Sequence, residues 1–114
     1  MDADTLHILW TNDNPVTAEN MGFMYASNSR RRKWWGHGHI IVWGANAKLL
    51  VEDERLRELV RVFQELGGHV SACKRCAENL GVLEELEALP GVEVLYIGEE
   101  LTRILKSGEK ILSI

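Results

Sequence analysis

A chain of 114 residues, 46% hydrophobic and 26% charged, is long enough for one hydrophobic core and too short for two domains of ordinary size. Its net charge of −4 argues against a general nucleic-acid binder, and no apolar run approaches the roughly 20 residues that span a bilayer. Residues Met1 to Thr5 carry acids where an export signal carries positive charge, so the expectation is one cytoplasmic domain over residues 1–114 with no membrane contact.

Thr5 to Thr11 is a compact apolar run with β-favouring residues and is expected as the first strand. Asn14 and Pro15 follow as N-cap and first helical residue. They open a helix expected to run to about Arg32, with Met21, Met24, Tyr25 and Asn28 on one face. Trp34-Trp35-Gly36 makes the turn into a second strand, His37 to Trp43, whose unbroken Ile40-Ile41-Val42-Trp43 reads as a parallel strand buried on both faces. Gly44 to Ala47 is a loop or short helical turn.

The clearest helix of the chain carries Leu56, Leu59, Val60, Phe63 and Leu66 as one stripe and stops at Gly67-Gly68. His69 to Ala72 is the third strand. It runs into Cys73-Lys74-Arg75-Cys76 and a short helix that Gly81 ends. Another short helix holds Leu83, Leu86 and Leu89 up to Pro90-Gly91. Val92 to Ile97 is the fourth strand, Gly98 to Gly108 the last helix, and Glu109 to Ile114 the fifth strand. This alternation predicts right-handed βαβ units: a three-layer α/β/α sandwich around a mainly parallel five-stranded sheet.

Ligands of such sheets bind beyond the carboxyl ends of the strands. That edge collects Asn12, Asp13 and Asn14, then Trp43, Gly44 and Asn46, then Cys73 and Gly98. Cys73 stands where a strand meets a helix N-terminus, a place that favours a thiolate, and the cationic neighbours Lys74 and Arg75 favour it further. Two cysteines spaced C-x-x-C are too few for a disulfide framework and point to redox or metal chemistry. Cys73 and Cys76 are therefore the candidate catalytic residues, and Asn12, Asp13, Asn46, Lys74 and Arg75 the candidate pocket. Buried cysteines acting as small hydrophobes are the alternative.

Val70-Ser71-Ala72-Cys73 followed by Gly81-Val82, then Val92 to Gly98, then Leu101 and Gly108-Glu109-Lys110-Ile111-Leu112, resemble the DsrE/DsrF-like family across most of the chain. The resemblance implies a small α/β fold, assembly as a homo-oligomer (trimer or hexamer), and in some members sulfur relay as a persulfide on one cysteine. Cys73, eight residues before Gly81, falls on that cysteine's position; Cys76 is an addition to the relay pattern. The implied partners are proteins that donate and accept sulfur.

Thioredoxin-like chemistry shares the strand, C-x-x-C and helix arrangement, but its following helix is long, whereas Gly81 ends this one after about one and a half turns. Zinc held by the cysteines with His37, His39 and His69 requires ligands at opposite ends of strands roughly 17–20 Å long. The histidines are instead expected as solvent-exposed strand ends. Arg30 to Trp35 combines basic and aromatic residues that can bind a phosphate backbone, but a packed helix end or a subunit contact is the preferred reading. No G-x-S-x-G, Walker loop or dinucleotide fingerprint is present, and no cofactor is expected.

Overall fold

The structure is a computed structural model that describes residues 4–114; residues 1–3, on which the expectation of no export signal in part rests, lie outside the described residues. Five strands, β1 (Thr5–Trp10), β2 (His37–Val42), β3 (His69–Cys73), β4 (Val92–Leu95) and β5 (Lys110–Ser113), form one sheet in the order β4-β3-β2-β1-β5. Every pairing is parallel. Central β2 is flanked on both sides, which is why its apolar run is unbroken: Ile40, Ile41 and Val42 are all buried.

Handedness assigns the helices to faces. From β1 to β4 the chain moves steadily toward one edge, so right-handed crossovers place every intervening helix on the same face. These are α1 (Pro15–Thr17), a π-helical turn (Ala18–Phe23), α2 (Met24–Arg31), α3 (Asn46–Glu52), α4 (Glu54–Glu65), α5 (Lys74–Leu80) and α6 (Leu83–Glu87). Their buried residues, among them Phe23, Leu50, Leu56, Phe63, Ala77 and Leu86, close over Leu6, Ile8, Trp10, Ile40, Val42, Val70 and Ala72. The step from β4 back to β5 reverses direction, so α7 (Ile97–Ser107) lies on the opposite face. There Ile97 and Ile104 pack on Ile41 and Cys73. Among the described residues the three layers are unequal, with six α-helices against one.

The first long helix departs from the single amphipathic rod expected. A π-helical turn inserts an extra residue and displaces the buried stripe by about 100°. The residues turned inward are Ala18, Gly22, Phe23, Ala26, Ser27 and Ser29, while Met24 is exposed. Gly22 lets this helix lie against the chain's last residue: a Cβ there would come within 2.8 Å of Ile114 Cδ1. The segment after β2 is also more regular than a loop, with α3 extending to Glu52. Ile97 begins α7 instead of ending β4.

The Arg30 to Trp35 run packs locally. Arg30 donates to the carbonyls of Leu66 and Gly36, and so ties the end of α2 to the end of α4. Trp35 Nε1 donates to the Tyr25 hydroxyl at 3.1 Å, and Trp34 lies over the Tyr25 ring. Among the described residues no helix is long and apolar enough to cross a membrane.

Candidate functional site

Adjacent strands whose continuations leave on opposite faces open a crevice at their carboxyl ends. β3 continues into α5 on the six-helix face, and its neighbour β4 continues into α7 on the other. Cys73 ends β3 at that point, in register with Leu95 of β4.

Cys73 is the N-cap of α5. Its backbone is extended, and its sulfur accepts the backbone N–H of Cys76 at 3.2 Å. The Cys76 sulfur, one helical turn on, donates to Cys73 Sγ at 2.7 Å. Both cysteines are free, and a disulfide between them would need the sulfurs to close from 2.7 Å to about 2.03–2.05 Å. Burial pushes the Cys76 thiol up to about 11, and its hydrogen bond to Cys73 acts in the same direction, while the Gly44 backbone N–H opposes. Cys76 therefore keeps its proton at neutral pH and donates it, and Cys73 is the acceptor of two bonds. Cys73 is buried at 4% exposure, and Cys76 is the more accessible of the two.

The cationic neighbours face other partners. The Lys74 ammonium lies 5.4 Å from the centre of the Tyr96 ring, and Arg75 approaches Glu78 at 3.8 Å. Tyr96, at the junction of β4 and α7, also donates its hydroxyl to the Glu78 carboxylate at 3.1 Å. Lys74, Glu78 and Tyr96 thus bridge the two continuations beside the sulfur pair. Leu95, Tyr96, Glu99, Glu100 and Arg103 line a cleft of about 490 Å³ along α7 and the end of β4. Tyr96 and Glu78 were not foreseen from the sequence. The signal for Tyr96 was its place directly after a strand at the carboxyl edge.

The remaining predicted pocket residues sit after β1 and β2. Asn12 accepts the backbone N–H of Asn14 through its side chain and so shapes the β1 loop. Asp13 lines a separate cleft of about 220 Å³ with Lys48 and Leu80. Asn46 is fully buried, and its amide donates to the Trp10 carbonyl, tying α3 to the end of β1.

The histidines depart most from expectation. His37 is exposed, but His39 is 1% exposed and His69 half-buried. His39 Nδ1 meets Nδ1 of His7 at 2.7 Å, and His39 Nε2 meets Ser71 Oγ at 2.6 Å. His7 Nε2 in turn reaches Glu109 at 3.0 Å. A row of polar side chains thus runs from Glu109, just before β5, across β1, β2 and β3 beneath α7. Among the described residues no group of three or more His, Cys, Asp or Glu side chains is arranged to hold a metal ion.

No family model and no curated protein matches this chain. Among solved structures it is similar to BT1422, a conserved protein of unknown function from Bacteroides thetaiotaomicron. That match has 47% identity over 97% of this chain and 95% of that one, with a TM-score of 0.93. It shares its fold with the ychN protein from E. coli, at 14% identity over 96% of this chain and 98% of that one, TM-score 0.75. The same holds for MTH1491, a protein of unknown function from Methanobacterium thermoautotrophicum, at 18% identity over 96% and 98%, TM-score 0.70.

Proposed function

We propose that this chain, which belongs to the same family as BT1422, handles sulfur as a persulfide on Cys73, with Cys76 as the resolving thiol. The observation that carries the reading is the sulfur pair itself: 2.7 Å apart, with Cys73 the acceptor and Cys76 the proton-bearing donor. The DsrE/DsrF-like sequence features and the fold shared with ychN support it. In the first step the Cys73 thiolate attacks the outer sulfur of a donor persulfide. A sulfur–sulfur bond forms to Cys73, and the donor leaves as a thiolate. The outer sulfur can then pass to an acceptor thiolate. Alternatively, Cys76 loses its proton and attacks Cys73 Sγ, which forms the Cys73–Cys76 disulfide and expels hydrosulfide. The second route returns to the dithiol only with an external thiol reductant, which a reducing cytoplasm would supply. The short sulfur–sulfur distance also favours a plain thiol–disulfide switch as a second reading.

Intact-mass spectrometry of the reduced protein after exposure to a persulfide donor separates these readings. Cys76→Ser should trap an adduct of about 32 Da on Cys73. Cys73→Ser should take up none, and wild type should release sulfide and lose about 2 Da as the disulfide forms. A switch without relay gives the disulfide under mild oxidant but no adduct in Cys76→Ser. If no adduct forms and Cys73 is alkylated no faster than an ordinary cysteine, the cysteines are structural.

Assembly belongs to the same reading. Leu9, Trp43, Leu95, Leu101 and Ile111 are only partly covered beside α7, and Leu105 on α7 is 61% exposed. A second copy over this face would bury them, and sedimentation equilibrium at micromolar concentration should give a multiple of the single-chain mass. A single-chain mass would remove the oligomer from the proposal.

A further inference from the structure

The polar row beneath α7 plays no part in the sulfur chemistry, yet it is continuous and buried. His7, His39 and Ser71 are 0%, 1% and 0% exposed. They occupy adjacent strands β1, β2 and β3, with His7 in register with His39. His69 of β3 stacks on His39 with ring centres 4.8 Å apart. From α7, Arg103 approaches Glu109 Oε2 at 3.2 Å and the Ser107 hydroxyl donates to it at 2.6 Å.

With His7 neutral, hydrogen counting fixes the direction of every bond. A carboxylate only accepts, so the 3.0 Å contact to Glu109 Oε1 requires a hydrogen on His7 Nε2. A neutral His7 then has a bare Nδ1. The 2.7 Å contact between the two Nδ1 atoms holds a single hydrogen, which must sit on His39. His39 Nε2 is consequently bare, and the Ser71 hydroxyl must donate to it at 2.6 Å. All hydrogens point toward Glu109, and each bond polarises the next.

One added proton reverses this. On His7 it gives a cation that faces the Glu109 carboxylate on one side and donates to His39 on the other. His39 must then accept at Nδ1 and carry its hydrogen on Nε2, and Ser71 must accept. The cation does not settle on His39, because burial first, and then His69, His7 and Arg103, oppose a charge there, with Glu109 too weak to offset them.

We propose that Glu109, His7, His39 and Ser71 form a one-proton tautomer switch, in which protonation at His7 reverses the hydrogen-bond direction through a neutral His39 and turns Ser71 from donor to acceptor. The balance is simple. One proton enters and none leaves; the Nδ1 hydrogen of His39 passes to His7, and His39 regains one on Nε2 from the Ser71 side. Ser71 lies two residues before Cys73 on the same face of β3, so the reversal reaches the strand that carries the thiol. The switch stands independently of whether Cys73 carries sulfur.

Long-range proton–nitrogen correlation spectra of the ¹⁵N-labelled protein, followed through a pH titration, read each tautomer directly. At high pH His39 should carry its hydrogen on Nδ1 and His7 on Nε2. On acidification His7 should become doubly protonated while His39 moves to the Nε2–H form, with one shared midpoint that the Cys73 backbone amide also follows. Glu109→Gln should lower that midpoint by about one pH unit or more, because the carboxylate no longer favours the cation. Ser71→Ala should leave the tautomer change in place but uncouple the Cys73 amide from it. His39 keeping one tautomer throughout, or gaining both hydrogens while His7 stays neutral, overturns the proposal. A Cys73 amide that still follows the midpoint in Ser71→Ala overturns the path through Ser71.

Discussion

Lowering the pH from 7 to 3 should remove on the order of 4 kcal/mol of folding stability through His39 alone. Burial of its ring, followed by the neighbouring His69, His7 and Arg103, lowers its titration from 6.5 to about 3 in the folded protein. The unfolded chain protonates this imidazole near 6.5, so between those values the unfolded state binds the extra proton and stability falls as pH falls. At about 1.4 kcal/mol per pH unit the loss reaches that order by pH 3. Glu109 adds to it further down. Hydrogen bonds from Ser107 and then His7 lower its carboxyl from 4.5 to about 2, so its contribution is complete above 4.5 and fades as pH drops toward 2. Urea denaturation across this range measures both. In His39→Gln, which retains a donor and an acceptor but cannot titrate, the slope between 6.5 and 4.5 should flatten. An unchanged slope there would assign the acid sensitivity to another group.

The second large effect lies at the end of α4. Phe63 is fully buried, and its ring lies where a Cβ on Gly68 would stand, 2.4 Å from two ring carbons. Gly67 takes φ +89° after the helix, and the Gly68 N–H returns to the Phe63 carbonyl at 2.9 Å. The last turn is thereby closed in the Schellman manner, with the contact between residues C3 and C″ made by a bare Cα against an aromatic ring. Phe63→Ala should cost about 3–5 kcal/mol through the cavity it leaves, and Gly68→Ala about 1–3 kcal/mol through overpacking. The double variant should lose less than the sum of the two, because the new methyl enters the space that the ring vacated. Strict additivity in chemical denaturation would show that the two residues do not contact each other.

Much of the fold was legible because each element carries its own local signal. The stripe of Leu56, Val60 and Phe63, the stops at Gly67, Gly81 and Gly108, and the unbroken Ile40 to Val42 announce helices, ends and a central parallel strand without reference to the rest of the chain. The candidate site was legible in part for the same reason. Cys73 could be placed at a strand end and a helix start from its immediate neighbours, and that is where it stands.

The departures share another origin. A π-helical turn leaves no periodicity of its own, so the inward face from Ala18 to Arg31 differs from the one that a regular helix predicts. The polar row joins residues 32 and 102 positions apart, and no spacing along the chain records such a pairing. A signal was present: His7, His39 and Ser71 each stand beside buried apolar residues of their strands, and a polar residue inside a buried strand calls for a partner. The partner's identity depends on strand order and register, which only the assembled sheet provides.

Sequence alone was thus enough to establish an α/β chain with a parallel sheet and a thiol pair at the carboxyl end of β3, because those features follow from short-range pattern. Tertiary structure decided three further things. Right-handed crossovers acting on the order β4-β3-β2-β1-β5 put α7 by itself on one face. The same order opened the crevice between β3 and β4 at Cys73. Burial beneath α7 then set the protonation of His39, since the cost of charging an imidazole depends on what surrounds it and not on where it stands in the chain.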